Sequence, residues 1–469
     1  MTEGLVSLAE AIVVGSAELV AFTGGGGKTS LMMALSEELS GGVVMTTTTR
    51  LSESQVRLMP EVIRFSPTEF GESSGAGPET EVVLGHAELY RKITYSLVRS
   101  GRCLVVGEPY GDKVIGVPVD LPGLLFSRDD VAYVLVEADG SRRKPCKAPG
   151  PNEPVIPPEA TVVLPTAGID AIGKPISEIA HRPERVKAIT GLEIDQPMTV
   201  GALARLLTHQ KGGLKGIPLK ARVVPFINKV DSDDLLDKAR EVARLILEED
   251  RIDRVILGAI RSNRPVREIH RRITAIVLAA GLSSRMGRPK QLLPWGDTTV
   301  LGQTIGNLQR SRVNEVVVVS GYQAQEVESV SAQLGVQTFF NELYASGGMI
   351  SSVQTALRHL PDNREAILVM LADQPMVETA TIDRLVDAWS ENKGELVAPV
   401  IRGRRGNPVL IGRRYFDELL ALPLGAAPRE LVNRHNAELH LVEVKTDSIL
   451  RDLDESEDYE RWRPKNGNT

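Results

Sequence analysis

Cysteine is nearly absent from this chain. Cys103 and Cys146 are the only two in 469 residues. They lie far apart in sequence, which indicates neither a disulfide framework nor a zinc site. A basic excess is missing too: 55 Lys and Arg face 61 Asp and Glu, for a net charge of -6. With no surplus cation to drive counterion release, a general nucleic-acid binder is not expected. Long apolar runs are also lacking, since every such stretch is short and broken by Gly or charge, and the opening MTEGLVSLAE is acidic. Neither a membrane span nor a signal peptide is expected, and a cytoplasmic location follows. What remains, 42% hydrophobic and 25% charged residues, is ordinary for globular protein. The length suits two large domains or about three smaller ones, each able to bury its own core.

One stretch organises the C-terminal half. Ala275-Ile276-Val277-Leu278 ends abruptly in Ala279-Ala280-Gly281, followed by Ser283, Ser284, Arg285, Gly287 and Lys290. A buried strand that runs into a turn of small residues lets backbone N–H groups approach a polyphosphate closely. Arg285 and Lys290 add the positive charge that a leaving pyrophosphate needs. From Ile273 onward strands and helices alternate: a helix capped near Asp297 or Thr298 with Leu301, Ile305 and Leu308 on its buried face, a strand Val316–Val319, a helix Gln325–Gln333 and a strand Thr338–Phe340. This alternation predicts a mostly parallel sheet that binds ligands beyond the carboxyl ends of its strands. Asp373 stands there, after the apolar run Ala366–Leu371, and is a metal-ligand candidate; Asp452 or Asp454 could complete a Mg²⁺ site with it. Ser456 reads as the N-cap of a last helix. Tyr344–Ser352 and Gly403–Pro408 are rich in ligand-type groups and are candidate substrate walls, with plain loops as the alternative.

The N-terminal half has a phosphate loop of its own. Leu19–Phe22 reads as a buried strand, followed by Thr23-Gly24-Gly25-Gly26-Gly27-Lys28-Thr29-Ser30 and a helix with Leu31, Leu35 and Leu39 on one face. Here glycine amides point inward, Lys28 meets terminal phosphates and the Thr29 hydroxyl can hold Mg²⁺. The strict pattern wants Gly where Phe22 stands, so the match is to a variant similar to the TGxxGKT loop of the Mur ligases. A second apolar strand, Tyr133–Val136, runs into Glu137-Ala138-Asp139-Gly140, and Asp139 suits a Walker-B role. Asn228, Lys229 and Asp231 form the NKxD pattern with which many GTPases read guanine. The threonines 46–49, the basic run Ser141–Lys147 and the cluster His181–Arg185 are each either part of a site or ordinary turn and solvated surface. Asp253–Leu257 is expected to be the last strand of this domain, and Arg261–Arg272 a short helical or extended connection without Gly/Ser linker character.

TGGGGKTS, VEADGSRRKPCKAP, HRPER and FINKVD together resemble the YqeC family, an accessory protein associated with selenium-dependent molybdenum hydroxylases. LAAGLSSRMGRPKQLLPWG, SGGMISSV, LADQPMV, GRRGNPVLIG and DLDESEDYERW resemble the molybdenum cofactor cytidylyltransferases, the MocA branch of the MobA-like nucleotidyltransferases. LAAG followed by Arg-Pro-Lys is similar to the cytidylyl branch. The chain departs from the family at Leu424–Arg429, where a GDxGAR segment often stands. The resemblance implies an α/β protein of two domains: residues 1–268 a P-loop-like nucleotide-binding accessory domain, residues 272–469 a Rossmann-like nucleotidyltransferase. It implies CTP held near Ala279, Ala280 and Gly281 with Arg285 and Lys290 on its phosphates, and Mg²⁺ on Asp373 and Asp452. Molybdopterin would be the acceptor and molybdopterin cytosine dinucleotide the product. The first domain would bind a second nucleotide, GTP or ATP, at Gly24, Gly27, Lys28, Thr29 and Asp139. Its implied partner is a molybdenum hydroxylase apo-enzyme. Guanylyl or sugar-phosphate transfer, or a delivery factor gated by nucleotide hydrolysis, are the competing functions.

Overall fold

A computed structural model describes residues 6–59, 61–65, 79–282, 289–361 and 364–464. The chain divides into two compact units, Met1–His270 and Arg271–Thr469. Among the described residues no helix is long and apolar enough to cross a membrane.

The first unit is built on a ten-stranded sheet. In spatial order its strands are Val266–Arg271, Arg254–Gly258, Phe226–Asn228, Val162–Gly168, Glu18–Gly24, Tyr133–Glu137, Val43–Thr47, Arg102–Val106 and Val62–Arg64, with Arg222–Val223 also on Val162–Gly168. Glu18–Gly24 lies at the centre, parallel to both of its neighbours. Its side chains alternate between two cores, Leu19 and Ala21 facing one and Val20 and Phe22 the other. A strand covered on both faces needs apolar residues at consecutive positions, which is why LVAF reads as an unbroken run. The arginine-rich connection expected at 261–272 is in fact largely an edge strand, Val266–Arg271. Its charges are tolerated because they are paired: Glu268 meets Arg240 and His270. Pro225, which has no N–H for the ladder, separates Arg222–Val223 from Phe226–Asn228.

The second unit carries an eight-stranded sheet, ordered Gln337–Phe340, Glu315–Ser320, Ile273–Leu278, Ala366–Leu371, Val409–Gly412, Leu396–Ile401 and Arg404–Arg405, with Leu439–Glu443 also on Leu396–Ile401. The first four strands are parallel, while Val409–Gly412 runs antiparallel between its neighbours. Ala275 and Val277 face one core and Ile276 the other. The helix Val300–Gln309 is capped by Thr299, whose hydroxyl accepts from the Gly302 N–H, one position beyond the expected caps. Ser456 likewise proves to be the first helical residue. Glu455 is the cap, in a reciprocal box with Asp458.

Candidate nucleotide sites

In the second unit, the parallel register pairs Leu278 with both Val319 and Leu371, so three strand ends finish side by side. Ala279 and Ala280, both buried, continue from the central one. The Ala279 N–H donates to Val319 O at 2.9 Å, and Ala280 O accepts from the Tyr322 N–H at 3.3 Å. Gly321 must be small, since a Cβ there would lie 2.4 Å from Tyr344 Cβ and 2.8 Å from Ala280 Cβ. Gly281 is exposed. Arg285, Ser283, Ser284 and Gly287 lie outside the described residues.

Lys290 stands at the same edge. Its ammonium bridges Asp373 and Asp454, reaching Asp454 Oδ1 at 2.9 Å. Burial works against that charge, yet Asp373 and then Asp454 hold the Lys290 pKa above its ordinary value. Asp452 sits beside this pair, its Oδ1 accepting from Gln374 Nε2 at 2.5 Å. Burial and then the Asp373 charge push the Asp452 pKa up. Asp373 Oδ1 is buried without a hydrogen-bond partner. Two neighbouring carboxylates, Asp452 raised by the Asp373 charge and Asp373 with an unused buried oxygen, form a donor set that a hard divalent cation fits. Among the described residues there is no complete three-ligand cage.

The candidate walls are tied into the scaffold. Asn341 Nδ2 donates to the Ser351 and Ser352 hydroxyls at 2.8 and 3.0 Å, so those groups position the turn ahead of the helix Gly348–His359. The Gly425 N–H donates to Gly347 O at 2.9 Å. A Cβ on Gly348, at φ +67°, would lie 3.0 Å from Gly425 Cα. The segment Leu424–Arg429 thus packs on the glycine turn despite its departure from the family pattern. Gly406-Asn407 is anchored through the Asn407 N–H on Ile449 O at 3.1 Å.

The first unit gathers its candidates at the carboxyl edge of the central strands. Gly24 has φ +89°, Gly26 +78° and Gly27 +124°. A Cβ at Gly27 would fall 2.5 Å from Asn228 Nδ2, so the loop and the Asn228 side chain require each other's shape. The N–H groups of Gly24, Gly25 and Gly26 are consumed by the protein, on Asp139 Oδ2, Thr166 O and Lys144 O at 3.0, 2.8 and 3.0 Å. Leu31 is the first amide to bond back along the helix, to Gly27 O. The groups placed for an anion are therefore the amides of Gly27, Lys28, Thr29 and Ser30, not those of the whole glycine run.

Lys28 Nζ donates to Gly24 O at 2.7 Å and lies 3.2 Å from Asp139 Oδ1 and 3.9 Å from Glu137 Oε1. The acid that meets Thr29 is Glu137 rather than Asp139: the Thr29 hydroxyl donates to Glu137 Oε2 at 2.6 Å and accepts from Gln55 Nε2 at 2.7 Å. Burial pushes the Glu137 pKa up against the pull of Lys28 and Thr29. Asp139 instead lies between Lys28 and Lys147, 3.1 Å from the latter's Nζ. Asn228 is tied into the scaffold from both ends of its amide. Its amide donates to Gly26 O at 2.8 Å, and its carbonyl accepts the Lys229 and Ile260 N–H groups at 2.8 and 3.2 Å. Lys229 pairs with Asp170 at 2.8 Å, and Asp231 is exposed. The threonines 46–48 are structural: their hydroxyls donate to Val105 O, Glu137 O and Val155 O. Gln55 is the site residue with no signal in the sequence, and Glu137 shares the strand end at which Asp139 was chosen. Lys147, from the basic run Ser141–Lys147, does stand beside Asp139.

Comparison with known proteins matches each unit separately. A model of the MobA-like NTP transferase domain matches residues 275–439, and a model of the YqeC protein matches residues 20–184. A molybdenum cofactor cytidylyltransferase of Escherichia coli (strain K12) is 30% identical over 190 residues, which are 40% of this chain and 93% of that protein. A protein named YqeC from the same strain is 30% identical over 182 residues, 39% of this chain and 68% of that protein. Among solved structures, Rv0371c from Mycobacterium tuberculosis H37Rv is 30% identical and covers 40% of this chain and 96% of its own, with a TM-score of 0.37.

Proposed function

We propose the following for a chain that belongs, through its second unit, to the MobA-like NTP transferases and, through its first, to the YqeC family. The second unit, a nucleotidyltransferase, transfers the cytidylyl group of CTP to molybdopterin, giving molybdopterin cytosine dinucleotide and pyrophosphate. The first unit binds GTP or ATP and serves maturation of a molybdenum hydroxylase. The observation that carries this reading is the juxtaposition of Lys290, Asp373, Asp452 and Asp454 beside the small-residue turn at Ala279–Gly281.

The terminal phosphate oxygen of molybdopterin forms a bond to the α-phosphorus of CTP, and the bond from that phosphorus to the bridging oxygen of pyrophosphate breaks. A phosphate monoester is already ionised near neutral pH, so no side chain need take a proton. Lys290 carries a fixed positive charge to the leaving pyrophosphate, with Arg285 as its proposed companion. Asp373 and Asp452 would hold a divalent cation that, when bound, neutralises charge developing on the phosphates. Gln374 orients Asp452 by its hydrogen bond. Ala279 and Ala280 leave room for a base close to the backbone. In the first unit, Lys28, Thr29 and the amides from Gly27 onward would receive the nucleotide phosphates, and Glu137 would hold the metal's water shell through Thr29. Asp373→Ala tests the core of this: Mg²⁺-dependent pyrophosphate release from CTP should vanish with the fold intact, and retained release would remove Asp373 as a ligand.

A further inference from the structure

Two basic segments of the first unit, Ser141–Lys147 and His181–Arg185, take no part in the phosphate loop's own contacts apart from Lys144 O and Lys147. Parallel pairing of Cys146 with Ala180 and of Lys147 with His181 sets them side by side. Three of their arginines hold left-handed backbone: Arg142 at φ +50°, Arg143 at +61° and Arg182 at +67°. Such conformations are unfavourable for residues other than glycine and cluster at ligand clamps. Arg142 and Arg143 are exposed, with no carboxylate partner among the described residues. The Arg182 guanidinium grips Glu153 with both arms, at 2.6 and 2.8 Å, and Lys147 Nζ meets the same carboxylate at 2.6 Å. Glu153 arrives on the strap Pro149–Pro154, whose carbonyls accept from Arg185 and Lys215. Among these cations sits His181; burial and then the charges of Arg182, Lys147 and Arg142 push its pKa down to about 4.

We propose that Arg142, Arg143, Arg182 and Lys147 form a second anion subsite of the first unit, which takes the phosphate of a phosphomonoester, and that Glu153 fills the Arg182 fork as an internal stand-in. A guanidinium fork matches carboxylate and phosphate alike, so the ligand phosphate exchanges with Glu153 at one geometry. The subsite adjoins the phosphate loop through Asp139, which touches both Lys147 and Lys28. A cavity of about 10 Å³, room for one water, lies between them and is lined by Gly24, Asp139 and Lys147. The first unit thus holds a phosphorylated small molecule beside its nucleotide, whichever base the loop reads.

Calorimetric titration of the full-length protein with inorganic phosphate tests this. R142Q/R143Q should weaken phosphate binding by roughly tenfold or more, as loss of charge-assisted contacts demands. E153Q should tighten it, because the internal competitor loses its charge. ATP or GTP binding, measured separately on R142Q/R143Q, should persist, so failure at the phosphate loop is told apart from failure here. Unchanged phosphate affinity in R142Q/R143Q, or unchanged or weaker affinity in E153Q, overturns the subsite.

Discussion

Replacing Lys290 by methionine keeps the bulk of the side chain and removes only its charge. In the native unit that ammonium is 20% exposed and bridges Asp373, 13% exposed, and Asp454, 45% exposed. The exposed Asp454 contact contributes little to stability in water. Asp373 is different: without Lys290, a largely buried carboxylate keeps one oxygen unpartnered and loses its cation from the other, which costs about 1–3 kcal/mol. Turnover should fall by roughly 10²-fold or more, as for removal of one transition-state charge partner. The stability deficit also has a sign in pH. Asp452, already raised by burial and by Asp373, loses the lowering influence of Lys290, so the deficit should shrink as the solution is acidified. Adding Asp373→Asn to Lys290→Met should restore stability without restoring turnover. Pyrophosphate release from CTP and thermal melting across pH measure both. Unchanged release in Lys290→Met, or a deficit that grows on acidification, refutes this placement of the lysine.

Three further outcomes follow from the geometry. Despite burial, the hydrogen bonds of His270 and Arg240 hold Glu268 down to about 2, against an ordinary 4.5. Its folded pKa is depressed, so its contribution is complete above 4.5 and is lost as pH falls toward about 2. Glu268→Gln should destabilise the protein near neutral pH by on the order of 2–3 kcal/mol, with the difference closing over that window in pH-dependent melts. Thr29→Val and Glu137→Gln should each weaken metal-dependent nucleotide binding to the first unit without abolishing folding, as calorimetry with and without Mg²⁺ will show. Asn228→Ala breaks three hydrogen bonds, to Gly26, Lys229 and Ile260, and should cost about 1–3 kcal/mol, whereas exposed Asp231→Ala should leave stability alone and remove any preference for GTP over ATP.

The parallel strands were legible because burial on both faces forces consecutive apolar residues, as at Ala275–Leu278 and Leu19–Phe22. Their ends were legible as well, which is why Lys290, Asp373 and the 452–454 acids could be grouped before any geometry was known. Edge strand Val266–Arg271 was hidden, since its charges are paired by Arg240 and Glu268 rather than solvated. The Glu137–Thr29 contact was hidden for another reason. Sequence places both acids of EADG at a strand end, and only the register of Phe22 with Glu137 decides which one faces the loop. Likewise, no spacing in the sequence indicates that Gly24–Gly26 spend their amides on Asp139, Thr166 and Lys144. Long-range pairing also joined His181 to Lys147 across 34 residues of chain, bringing two separate basic segments together.

The most direct measurement incubates the purified full-length protein with molybdopterin, Mg²⁺ and each ribonucleoside triphosphate in turn, and identifies the product by mass. Molybdopterin cytosine dinucleotide should form from CTP, with one pyrophosphate released per dinucleotide. Preferential formation of the guanine dinucleotide, or no dinucleotide from any triphosphate, would rule out cytidylyl transfer by the second unit.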